Sequence, residues 1–325
     1  MSDFPARKVG VLLVNLGSPL SPSASDVRAF LREFLSDPRV VNLPRPLWWL
    51  ILNLFVLPFR PRKSAHAYRS IWTDKGSPLL AYSQQLNDKL VKRYGNDCLI
   101  FDCAMRYGKP SLRDKLHGFK KQGVEDIVIL PMYPQYSSTT TASIFDVVSD
   151  ELQSWRHIPS LHFISDYYQS PVYIKAIADS IRNHWQNHGQ AALLLMSFHG
   201  LPAKLTEWGD PYFDHCQTTA RLIAEELGLK EQQWQMVFQS RFGRAEWLKP
   251  YCVEVLRDLP KQDIKQIDVV CPGFAVDCLE TLEEIAITNK EIFIEAGGKS
   301  YRYIPALNDS DAHVSAMAQI IKAAL

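Results

Sequence analysis

A chain of 325 residues, 46% of them hydrophobic, can bury a substantial core, and its length points to two domains. With 36 lysines and arginines against 35 aspartates and glutamates, it has no general attraction for nucleic acid or an anionic membrane, so any such contact would have to be local. Six cysteines, at 98, 103, 216, 252, 271 and 278, form no Cys-x-x-Cys pair and no disulfide-like rhythm, which fits a reducing cytosol.

The opening MSDFPARKVGVLLVNLG has no long apolar region ahead of a small-residue cleavage site. No signal peptide is expected, and its apolar residues read as a first strand, 9 to 16. A long insertion between residues 30 and 80 then interleaves large apolar side chains with Arg32, Arg39, Arg45, Arg60, Arg62 and Arg69. That mixture suits either a helical hairpin closing on the core or a surface for a flat, apolar ligand edged with carboxylates. Its most apolar run, LWWLILNLFVL at 47–57, is too short to span a bilayer and reads as core, lid or a surface that touches membrane.

Further buried strands are expected at 98–105, 124–133, 191–199, 234–240 and 267–274, each followed by helical patterning. Such alternation implies a doubly wound α/β fold. The tail, DSDAHVSAMAQIIKAAL, spaces Val314, Met317, Ala318 and Ile321 as one face of a terminal helix behind a cap at Asp309 or Ser310. The two halves also echo one another: VGVLLVNLGSP (9–19) resembles ALLLMSFHGLP (192–202), and Arg106-Tyr107-Gly108 is matched by Arg241-Phe242-Gly243. Each triplet precedes a helix and a strand that meets proline, IVILPMY and DVVCPGF, so a duplicated unit is the economical explanation.

The usual ligand signatures of such folds are missing. VNLGSPLSPSASD offers one glycine after the first strand, not Gly-x-Gly-x-x-Gly, and the chain has no P-loop, no Gly-x-Ser-x-Gly elbow and no His-Glu-x-x-His. Two further places can carry chemistry besides the insertion and the helix considered next. His199, in LLLMSFHGLP, stands where a buried strand gives way to a Gly-x-Pro turn, at the rim where open sheets bind ligands. An imidazole there serves either as structure or as a proton acceptor or transition-metal ligand. PMYPQYSSTTTAS (131–143) crowds tyrosines and hydroxyls at a strand end, as helix caps or as part of a site.

The stretch VVCPGFAVDCLETLEEIA (269–286) runs from a strand into an expected α-helix. At about 100° per residue, Glu280 and Glu284 fall within about 60° of Asp277, with Leu279, Leu282 and Ala286 opposite and Glu283 off the stripe. The stripe is either the solvent face of an amphipathic helix or a row able to hold a hard or borderline cation.

In this order, NLGSP, MRYGKP, PMYPQYSSTTT, SFHGLP and CPGFAVDCLETLEEI closely resemble the ferrochelatase family, which inserts Fe²⁺ into a porphyrin at the end of haem synthesis. The likeness covers residues 8 to 322. It implies two similar Rossmann-like, chelatase-like domains, each a parallel sheet flanked by helices, with a porphyrin cleft between them. These would be residues 1–170, with an apolar lip at 30–80, and 171–307, with the C-terminal helix 308–325 packing back on the first.

The resemblance further implies His199 and Glu280 as catalytic and metal-contacting residues and Asp277 and Glu284 as a metal path. Arg106, Tyr107, Tyr136 and Trp247 would bind porphyrin. The implied reaction joins Fe²⁺ and protoporphyrin IX to give protohaem and two protons. Coproporphyrin III as substrate, or non-catalytic carriage of tetrapyrrole or metal, are the alternatives. No cysteine follows Cys278, so no C-terminal iron–sulfur cluster and no permanently bound cofactor are expected. Cys278, where animal forms carry histidine, is expected to pack rather than ligate. The implied setting is the cytoplasm, with peripheral contact to the inner face of the membrane through residues 47–57, no nucleic-acid partner and an open oligomeric state.

Overall fold

The computed structural model describes residues 7–243 and 245–325. The absence of a signal peptide was expected partly from residues 1–6, which lie outside the described residues. Two four-stranded parallel sheets are present. The first comprises β1 (Val9–Asn15), β2 (Leu99–Met105), β3 (Asp126–Pro131) and β4 (Ser160–Phe163) in the order β2-β1-β3-β4. The second comprises β5 (Leu193–His199), β6 (Trp234–Gln239), β7 (Gln266–Val270) and β8 (Ser300–Tyr303) in the order β6-β5-β7-β8.

The same strand order occurs twice, as the sequence echo implies. The loops that carry the two triplets close in a similar way: near the end of β2, Met105 N–H donates to Pro110 O at 2.7 Å, and near the end of β6, Phe238 N–H donates to Pro250 O at 2.8 Å. β1 and β3 are buried along their whole length, and apart from Asn15 and Asp126 at their ends they are apolar, as strands covered on both faces are. The edge strands β4 and β8 were not anticipated from sequence. Each is only four residues long and half exposed, so neither the apolar run nor a clean alternation is there to read.

The chain divides into two compact units. One holds the chain to Tyr133 with Ser137–Asp166 and Met317–Leu325, and the other holds Pro134–Tyr136 with Tyr167–Ala316. In the first, helices Leu112–Lys121 and Thr141–Gln153 pack Leu116, Phe119, Ile144 and Val148 onto Leu12, Val14, Ile127 and Ile129. In the second, Cys252, Leu256, Ile285 and Phe293 cover Leu195, Val237, Ile267 and Val269.

The insertion forms helices Ala24–Leu35, Arg45–Ile51 and Leu57–Ile71, with a π-helical turn at Leu52–Val56 joining the last two. Ser23 caps the first by accepting Asp26 N–H at 3.2 Å, and its apolar stripe buries Val27, Phe30, Leu31 and Leu35. Within 47–57 the run splits by face. Trp48, Leu52 and Leu57 are buried, with Trp48 Nε1 bonded to Leu35 O at 2.6 Å, while Leu47, Trp49, Leu50, Leu54 and Phe55 are exposed. Among the described residues no helix is long and apolar enough to cross a membrane.

Candidate active site at the carboxyl end of the second sheet

β5 lies between β6 and β7, so the chain leaves β5 toward one edge and returns to start β7 on the other side. The crevice beyond the carboxyl ends of two such strands is where open α/β sheets bind ligands. His199 is the last residue of β5, and Cys271-Pro272-Gly273 follows β7, so both sequence candidates spring from this switch point.

His199 is half-buried, and its Nδ1 lies 2.7 Å from Gly200 O. A carbonyl oxygen can only accept, so Nδ1 carries the proton of the neutral ring and Nε2 is left as the basic nitrogen. Gly200 is itself fixed, its N–H bonded to Gln239 O at 2.8 Å. A Cβ there would stand 2.5 Å from that oxygen and 3.2 Å from Trp247 Cε3, so only glycine allows the approach. Trp247 pairs with Pro202 in an antiparallel bridge, and its Nε1–H is buried without a hydrogen-bond partner.

The expected helix after β7 departs from α geometry. Glu280–Asn289 is π-helical and runs directly into the α-helix Lys290–Glu295. Bonding from i to i+5 winds more than four residues into each turn, so Glu280 and Glu284 stack more nearly above one another than in an α-helix. Glu284 Oε1 accepts Ser240 N–H at 2.7 Å, and its Oε2 accepts the Ser240 hydroxyl. Ser240 can offer both donors because it sits in the left-handed region, at φ 63°. Burial raises the Glu284 carboxyl above the usual carboxylate range, and nearby Glu280 adds to this, against the lowering pull of Ser240 and His199. Glu284 thus lies within electrostatic reach of both His199 and Glu280.

Asp277 has partners of its own. It precedes the π-helix, is 2% exposed, and accepts hydrogen bonds from Thr281, Tyr303 and Asn308. Among the described residues no group of three or more His, Cys, Asp or Glu is gathered so as to hold a metal ion. Cys278 is buried, and burial first, then Glu280, pushes its thiol well above the ordinary range, so it stays a neutral packing group.

Gln239 and Ser240 were read from sequence only as the end of a strand. Gln239 accepts the Ser197 hydroxyl at 2.8 Å and donates to Glu280 O at 2.9 Å, tying β5, β6 and the π-helix together. Two polar residues closing the apolar run WQMVF were the available signal.

The residues expected to bind porphyrin fall in different surroundings. In the second unit Tyr136 is half-buried, its N–H directed at His215 Nδ1 at 3.3 Å, and neighbouring Gln135 reaches Gly273. In the first, Tyr107 is 1% exposed and its hydroxyl donates to Asp37 Oδ2 at 2.8 Å, alongside Ser143 Oγ at 2.6 Å and Arg106 at 2.5 Å. Burial acts to raise the Asp37 carboxyl, but these donors and the Arg39 N–H outweigh it and hold the group below its usual range. Tyr107 and Arg106 are thus both tied to Asp37, Tyr107 as a buried residue.

A family model described as Ferrochelatase matches residues 8–325. A ferrochelatase of Methylococcus capsulatus is 59% identical over 98% of this chain and 97% of its own length. One from Nitrosococcus oceani is 50% identical over 98% and 87%. Among solved structures, SirB from Bacillus subtilis with Fe³⁺ superposes with a TM-score of 0.56 at 11% identity, covering 98% of this chain and 95% of that one. CbiX, described as the terminal enzyme of sirohaem biosynthesis in denitrifying bacteria, does so at 0.51 and 13%, covering 98% and 100%. At such identities the two structures speak for the fold alone.

Proposed function

The chain belongs to the ferrochelatase family, metal chelatases of the terminal step of haem synthesis, and from that premise we propose that it inserts Fe²⁺ into protoporphyrin IX with His199 as the proton acceptor. A free-base porphyrin must shed two pyrrole protons as the dication enters, so the product is neutral at its centre and two protons leave. His199 Nε2, left with its lone pair free by the Nδ1–H bond to Gly200, is suited to take one of them at a time, passing the first to solvent before the second leaves. That bond is the observation on which the reading rests.

Glu280 and Glu284 would hold and partly dehydrate the metal, oxygen donors being weak enough toward Fe²⁺ to release it. Burial, which raises the Glu284 carboxyl, supports a group that holds a proton more readily than usual until a cation arrives. Trp247, Tyr136 and Arg106 would contact the macrocycle or its carboxylates. The exposed Leu47, Trp49, Leu50, Leu54 and Phe55 would rest on the membrane surface, from which an apolar porphyrin could be taken.

The test is anaerobic incubation of the protein with Fe²⁺ or Zn²⁺ and either protoporphyrin IX or coproporphyrin III, followed by visible spectrum. Metalation of protoporphyrin above the protein-free rate is expected. Preference for coproporphyrin would reassign the substrate, and tight porphyrin binding without turnover would leave a carrier.

A further inference from the structure

We infer that Asp277 is a positioning residue that anchors the start of the π-helix, and not a station on the path of the metal. The inference rests on the reading of Glu280 and Glu284 as metal-handling groups. Both oxygens of the buried Asp277 carboxylate are bonded within the fold: Oδ1 accepts Thr281 Oγ1 at 2.8 Å and Tyr303 OH at 2.5 Å, and Oδ2 accepts Asn308 Nδ2 at 2.7 Å. The Ala306 N–H approaches Oδ1 at 3.4 Å as well. A cation at this carboxylate would meet a buried group whose Oδ1 is already filled and whose Oδ2 has a single lone pair left.

The bonds run both ways. Asp277 N–H donates back to Asn308 Oδ1 at 2.8 Å, so the two side chains close a ring across the loop that follows β8. Asn308 adopts the left-handed region, at φ 49°, and its carbonyl accepts His313 Nδ1 at 2.5 Å. Tyr303 is the last residue of β8, and Thr281 lies in the π-helix itself. Asp277 therefore fastens the first turn of that helix to the sheet, three residues before Glu280, while Gln239 holds Glu280 O from the other side. Fixing the backbone at both points sets where the Glu280 and Glu284 side chains emerge.

Three variants of the full chain test this: Asp277→Asn, Tyr303→Phe and Asn308→Ala. The first reading is amide hydrogen exchange over residues 280–289, which needs no substrate. A lost bond to a charged group should quicken exchange there by about tenfold or more in every variant. The second is steady-state Zn²⁺ insertion into protoporphyrin IX, where an anchor predicts a lower kcat in all three with KM for the metal unchanged. Unchanged exchange in Tyr303→Phe and Asn308→Ala overturns the inference. So does a KM for metal that rises only in Asp277→Asn while the other two match the wild type. If Asp277→Asn does not fold, the two partner variants decide the question. A wild-type chain that binds porphyrin but never metalates it refutes the proposed chemistry instead, and the exchange result still judges the anchor.

Discussion

Replacing Gly200 by alanine should disable the site while adding a single methyl group. The new Cβ would stand 2.5 Å from Gln239 O and 3.2 Å from Trp247 Cε3. A carbon and a carbonyl oxygen rest at about 3.3 Å or more, so the two strands must part by about 0.8 Å. The Gly200 N–H bond to Gln239 O, now 2.8 Å, then stretches beyond hydrogen-bonding range. One lost bond and a moderately overpacked contact together cost about 2–4 kcal/mol. For a unit of this size that lowers Tm by about 5–15 °C. The same displacement carries away the Gly200 carbonyl that fixes the His199 ring, and misplacement on this scale lowers kcat by about ten- to a hundredfold. Thermal unfolding followed by circular dichroism, with porphyrin metalation on the folded protein, measures both. A Gly200→Ala protein with wild-type Tm and a kcat within about twofold of wild type would refute the argument.

His199→Ala and Glu280→Gln should each lose about a hundredfold or more of metalation while keeping the wild-type circular dichroism spectrum, because neither side chain holds the core together. His313 is fully buried, and burial lowers it to about 4, below its unfolded value. Its contribution is therefore complete above the unfolded pKa of about 6.5 and is lost as pH falls from there toward 4, by about 3 kcal/mol. Urea midpoints at pH 7 and 4.5 should differ markedly in the wild type and much less in His313→Gln, which keeps a donor for Asn308 O; equal differences would place the acid sensitivity elsewhere. Asp37→Ala strands the Arg106 guanidinium and the buried Tyr107 hydroxyl, and should cost about 3–5 kcal/mol in the first unit by urea titration. A midpoint within error of wild type would show that the cluster is dispensable.

The central strands of both sheets could be read from sequence because burial on two faces leaves an unbroken apolar run, as in VGVLLVN. β4 and β8 could not, since a half-exposed edge of four residues follows no pattern. His199 was legible from its place between an apolar strand and a Gly-x-Pro turn. Glu280 and Glu284 were legible as a stripe, but their winding was not: nothing in ETLEEIAITN distinguishes i→i+5 from i→i+4 bonding. Asp277 was grouped with them by helical spacing, whereas Tyr303 and Asn308, which take its oxygens, lie 26 and 31 residues further along the chain. Asp37 was hidden in the same way, because a lone aspartate in LSDPR does not reveal partners at 106, 107 and 143.

The hydrogen bond between His199 Nδ1 and Gly200 O bears on what happens after a proton is taken up. The imidazole and the imidazolium both carry a hydrogen on Nδ1, so the carbonyl is satisfied before and after the transfer. The ring has no reason to flip, and the backbone it leans on has no reason to move. As positive charge develops, the oxygen already facing it becomes a better partner. On the proposed chemistry, a turnover would charge and discharge this histidine with its Nδ1 partner unchanged.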